Sequence, residues 1–205
     1  LETELKKRLS YPYQWGQKQN DHYDGLTNFI YKTKTFDDLI AEINNCFNGK
    51  PEYNFIFNYA LNRWFNFWSA QGMEYIFCSC FGVTHAPDSK NKFIDFTIKG
   101  ITFDHKTSVF PNGYKRSLKE AIENPGDLIK WLYKNQSQQQ RHHLKNRLFI
   151  VLYSNNEKHW KLKSELIFLK GIIENYVTDF DENKLLKFSF EENNTTLSDI
   201  IWAIK

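Results

Sequence analysis

At 205 residues and 24.5 kDa the chain is long enough for one substantial core, burying about 70% of the surface its unfolded form exposes. A formal charge of +3 is too small to identify a partner, and no apolar run approaches the ~18 residues of a membrane span, so the expectation is one cytoplasmic domain without a membrane partner. Cys46, Cys78 and Cys80 form no CxxC pair and no Cys/His zinc spacing, and read as buried free thiols of a reducing compartment.

The charged stretch Leu1 to Leu9 is predicted to be a short helix, and 11–31, rich in Gln, Asn, Asp and Gly, is predicted to be irregular. Thr35 caps a helix over "FDDLIAEINNCF", with helical spacing at Phe36, Leu39, Ile40 and Ile43, which "NGKP" stops. Pro51 suits the first turn of the next helix. Apolar residues surround most of that segment, so it reads as a central helix, or as a helix pair broken near Gly72. "VTHAPDSKN" reads as a loop, "KFIDFTIKGITFDHKTS" as a hairpin and "PNGYKRS" as a turn. A helix follows from Gly126 to about His143, with Asp127 as its cap and Leu128, Trp131 and Leu132 on one face. "LFIVLY", Leu148 to Tyr153, is a strand buried on both faces. A helix near Ser164 to Tyr176, a strand at Leu185 to Phe190 and a C-terminal helix from about Thr196 complete a mixed α/β or α+β domain.

The hairpin holds the residues with chemical potential. A two-residue turn at Lys99-Gly100 places Ile94, Phe96, Ile98, Ile101, Phe103 and Val109 on one apolar side. The other side carries Asp95, Thr97, Thr102, Asp104, Lys106 and Ser108, with Asp95 directly opposite Asp104. Lys-Gly is a weaker turn signal than Asn-Gly, and a three-residue loop would move Asp95 to the wrong side. Opposed carboxylates repel by the same order as the ~0.2–1 kcal/mol of a favourable cross-strand pair. Lys106 offers one positive charge to two acids, and a divalent cation with oxygen ligands offsets the repulsion better. The bland alternative is a solvated polar face with a Lys/Asp salt bridge. His105, by parity, belongs to the packed apolar face. From Lys134 to Arg147, "KNQSQQQRHHLKNR" carries four cations and no acid, which reads either as a phosphate-facing surface or as a solvated helix face. The aromatic residues are assigned to the core rather than to base stacking.

Asp95, an eight-residue gap and then "DHK" at Asp104 to Lys106 resembles the signature of the PD-(D/E)XK nuclease superfamily. "AQGMEYIF" supplies Glu74 on the preceding helix, and a helix and a buried strand follow the hairpin in the family's order. The resemblance covers about 54–153. It implies a restriction-endonuclease-like central mixed sheet flanked by helices, in a single domain whose segments 1–53 and 154–205 are flanking, partly helical elaborations. The literal Pro87-Asp88 falls in a turn of this register, so the family's first aspartate is carried onto Asp95 and Asp88 is held in reserve.

The activity implied is metal-dependent hydrolysis of phosphodiester bonds, with DNA the favoured nucleic acid. By the resemblance, Asp95, Asp104 and the backbone carbonyl of His105 would hold Mg²⁺ or Mn²⁺. Lys106 would orient the attacking water, and Glu74 would complete the first shell or bind a second ion. Lys134, Gln139, Arg141, His142, Lys145 and Arg147 would contact the nucleic acid, and a homodimer is compatible with this reading. In this scheme Asp104→Ala stops cleavage by removing a metal ligand, and leaves the fold intact because it relieves carboxylate repulsion. The alternative is a non-catalytic nucleic-acid-binding or assembly module that retains the fold.

Overall fold

The computed structural model describes residues 1–15, 19–86, 93–135, 144–192 and 194–205. The chain divides into two units, Leu1–Gly72 with Lys163–Leu166, and Met73–Leu162 with Ile167–Lys205.

In the first unit, α1 (Glu2–Lys7) runs into a 3₁₀ turn at Arg8–Ser10. The segment expected to be irregular contains α2 (Asp21–Leu26) and a second 3₁₀ turn at Asn28–Tyr31. The signal for α2 was Asn20, whose side chain accepts from the Tyr23 N–H at 3.1 Å as an N-cap. Polar ties order this segment: Tyr59 Oη donates to Asp24 Oδ1 at 2.7 Å, and Arg63 Nε lies 3.1 Å from the same oxygen. α3 (Phe36–Phe47) begins where Thr35 accepts from the Asp38 N–H, and buries Phe36, Leu39, Ile43 and Phe47.

α4 (Tyr53–Ser79) is unbroken. Gly72 is needed there for close approach rather than as a breaker, because a Cβ would stand 3.0–3.2 Å from the side chains of Leu166 and Leu1.

The second unit is built on six strands in the order β1-β2-β3-β4-β6-β5. They are β1 (Val83–His85), β2 (Phe96–Ile98), β3 (Ile101–Val109), β4 (Arg147–Tyr153), β5 (Leu186–Glu191) and β6 (Asn194–Ile204). The first three pair antiparallel, β3, β4 and β6 run parallel, and β5 closes the sheet antiparallel to β6. The protein is thus mixed α/β, with a mixed sheet flanked by helices. α5 (Leu118–Glu123) and α6 (Pro125–Lys134) connect β3 to β4, and α7 (Leu166–Thr178) lies between β4 and β5. α6 packs Leu128, Leu132 and Tyr133 against Phe149 and Val151 of β4 and Ile200 of β6. β4 is buried from Arg147 to Leu152, as its continuous apolar run predicts.

Four expectations are corrected here. The C-terminal segment is a strand, β6, and not a helix. Thr195, Thr196, Ile200, Ile201 and Ile204 are β-branched, and pairing on both edges decides in favour of extension. The segment 154–205 therefore supplies two strands of the sheet instead of flanking it. β1 lies within the segment assigned to a loop. Asp127 is not a cap: α6 begins at Pro125, and the Asp127 carboxylate pairs with Arg116. α5 was missed although its Ser117-x-x-Glu120 capping box stood in the sequence, with the Ser117 N–H donating to Glu120 Oε2 at 2.8 Å.

Candidate functional site

The hairpin turns at Lys99-Gly100 in the expected register, with Phe96 opposite Phe103, Thr97 opposite Thr102 and Ile98 opposite Ile101. Both turn residues have positive φ, 45° and 89°, the requirement of the type I′ turn that matches strand twist. Gly100 adopts this without cost. Lys99 is held there as its Nζ donates to the Phe180 carbonyl at 2.9 Å.

At Asp95 the regular register ends, its N–H donating to the Phe103 carbonyl at 2.8 Å, and the two carboxylates part. Asp95 Oδ2 accepts from the His105 backbone N–H at 2.8 Å and lies 2.7 Å from His105 Nδ1. The His105 ring sits on the apolar side as expected, with its centroid 6.0 Å from that of Phe77 and 5.9 Å from that of Phe96. Asp104, pointing to the other face by alternation, meets Arg147: Nε to Oδ2 is 2.6 Å, with the side chains 0% (Arg147) and 5% (Asp104) exposed. The strands enforce this pair, since Arg147 is the β4 residue in register with Asp104. The guanidinium also lies over the rings of Tyr133 at 5.4 Å and Phe149 at 5.6 Å. The expected face-to-face pair of acids is therefore corrected. Each acid has its own basic neighbour, and the polar side of β3 at Asp104 is covered rather than solvated.

Lys106 follows Asp104 on β3, half-buried and in register with Phe149. Glu74, near the end of α4, places Oε1 3.6 Å from His85 Nε2 on β1. Burial pushes the Cys78 thiol up to about 11, and the charges of Glu74 and Asp95 add to the rise. The three cysteines are free as expected, but Cys46 is exposed and Cys78 and Cys80 are only half-buried.

Of the expected nucleic-acid contacts, Lys134 and Lys145 are exposed. Arg147 is corrected from a surface cation to the buried partner of Asp104. Gln139, Arg141 and His142, with the reserve Asp88, lie outside the described residues. The end of the basic stretch joins the hairpin, because the Asp104 N–H donates to the Asn146 carbonyl at 3.1 Å and Asn146 Nδ2 donates to the Thr102 carbonyl at 3.2 Å. A pocket of about 370 Å³ opens beside this junction, lined in part by Phe93, Thr102, Lys145, Asn146 and Thr195. Arg147 is the residue that sequence reasoning misread, and a signal existed: an arginine opening an apolar run buried on both faces needs a counter-charge.

Among the described residues, no group of three or more His, Cys, Asp or Glu side chains is arranged to hold a metal ion. Asp95 is turned to His105 and Asp104 to Arg147, so this arrangement does not fit the Mg²⁺ or Mn²⁺ cradle that the resemblance implies. Among the same residues, no helix is long and apolar enough to cross a membrane. No family model, curated protein or solved structure matches the chain.

Proposed function

We propose that this chain is a domain of restriction-endonuclease-like architecture that hydrolyses phosphodiester bonds of nucleic acid, DNA foremost, with Mg²⁺ or Mn²⁺ as its cation. One observation supports the reading most: a hairpin with Asp95 at its entry and Asp104-His105-Lys106 on its second strand, at the centre of an order of helix, three antiparallel strands, helix and parallel strand. Glu74 on the preceding helix α4, in the order that the motif expects, is consistent with it. Exposed Lys134 and Lys145 provide cations for phosphate at the two ends of the basic stretch.

The buried Asp104–Arg147 pair favours a second reading, a nucleic-acid-binding or assembly module that keeps the architecture without hydrolysis. Purified protein incubated with plasmid, single-stranded DNA and RNA, with Mg²⁺, with Mn²⁺ and with EDTA, separates the two. Cleavage that EDTA abolishes supports the hydrolase. Retarded migration of the same nucleic acids without cleavage in any ion supports the binding module.

A further inference from the structure

The entries of β3, β4 and β6 meet at the pocket of about 370 Å³, which is lined by an exposed ring, Phe93, and an exposed cation, Lys145, with no acid among its described lining residues. We propose that this pocket is a subsite for one unpaired nucleotide of a nucleic-acid strand, with its base stacked on Phe93 and the adjoining phosphodiester at Lys145; the inference rests on the nucleic-acid reading that both proposed functions share.

Size and chemistry select that ligand. The volume lies at the small end of the ~300–1,000 Å³ of ligand sites, which suits one nucleotide and not a helix. Phe93 is 44% exposed, and an aromatic face accepts any base that has left its stack, whereas the bases of a duplex already stack on one another. Lys145, the cation among the described lining residues, matches the single charge of a phosphodiester rather than the several charges of a free nucleoside triphosphate. The exposed Thr102 and Thr195 add hydroxyls, which both donate and accept, for the edge of a base. The floor is fixed in advance. Asn146 Nδ2 donates to the Thr102 carbonyl at 3.2 Å, its Oδ1 accepts from the Leu197 N–H at 2.8 Å, and Thr196 Oγ1 donates to the Leu144 carbonyl, which ties the three strand entries together. A site held in this way loses little to ordering when it is filled. The Asn146 carbonyl also accepts from the Asp104 N–H at 3.1 Å, so the subsite adjoins the hairpin.

Fluorescence anisotropy in EDTA, where ion-dependent cleavage does not intervene, tests this with three labelled probes: an oligothymidylate, an abasic strand with the same number of phosphates, and a blunt duplex. Wild type is expected to prefer the oligothymidylate to the abasic strand by about tenfold. Phe93→Leu should lose that preference and keep its affinity for the duplex. Lys145→Gln should lower the slope of log affinity against log salt on the single strand by about 0.7. An equal preference in wild type and Phe93→Leu overturns the subsite, as does a wild type without preference or a Phe93→Leu variant weakened equally on all three probes. Duplex binding in the same series leaves the nucleic-acid reading standing. An unchanged slope in Lys145→Gln overturns the phosphate contact. Binding of none of the probes by wild type overturns both the subsite and the nucleic-acid reading. If Phe93→Leu does not fold, the ring-proton resonances of Phe93 in wild type decide. Their displacement by the oligothymidylate and not by the abasic strand supports the subsite, and unmoved resonances overturn it.

Discussion

Arg147 carries its charge with a side chain 0% exposed, and the carboxylate beside it belongs to a residue that the motif assigns to an ion. Breaking such a buried pair by removing one partner costs about 3–5 kcal/mol, because the other charge stays buried without its balance. Repulsion between Asp95 and Asp104, worth at most ~1 kcal/mol, is the smaller effect and is not realised in this geometry. Asp104→Ala is therefore expected to lower the urea unfolding free energy by about 3–5 kcal/mol, the reverse of the stability expected from opposed acids. Asp104→Leu/Arg147→Met should recover most of that loss, and a double variant as unstable as the single one would show that the pair's burial is not the cause. A second buried acid gives a pH test. Burial raises the Asp199 carboxyl above its ordinary range, although Tyr176 Oη donates to it at 3.1 Å. A raised folded value favours the protonated form, whose stabilisation is present below the unfolded value of ~3.9 and is lost as pH rises through the folded one. Asp199→Asn should therefore be more stable than wild type at neutral pH, with the difference closing as pH falls through the carboxyl range in thermal unfolding.

At the scale of elements, the hairpin was legible because alternation, turn and burial agreed on one register. A one-residue slip would have put Phe103 on the face opposite Phe96 and Ile98. The turn itself depends on Gly100 at φ 89°, and a Cβ there would meet nothing within 4 Å. Gly100→Ala should accordingly cost about 1–2 kcal/mol from backbone conformation alone, measured by denaturant unfolding; an unchanged midpoint would mean that the turn relaxes. β6 was not legible. "TLSDIIWAI" satisfies a short helical spacing as well as a buried strand, and only its neighbours β4 and β5, far away in sequence, decide between them. The partner of Asp104 was hidden for the same reason: alternation shows which side a residue takes, but not which strand comes to lie beside it.

At the scale of the whole molecule, the order of strands places the hairpin beside the parallel core β3, β4 and β6, and the end of the basic stretch beside the hairpin. The proposed hydrolysis therefore concentrates on a few residues of β3 and its approach. Among them Lys106 is the most direct probe, since it is neither the partner of Arg147 nor a carboxylate ligand in the implied scheme. The deciding measurement is the initial rate of Mg²⁺- or Mn²⁺-dependent plasmid cleavage by wild type and by Lys106→Met at matched melting temperature. The account predicts cleavage by wild type and a loss of about a hundredfold or more in the variant, the scale of a group that stabilises charge only in the transition state. Equal rates in the two proteins, or no cleavage by wild type in either ion, would contradict it.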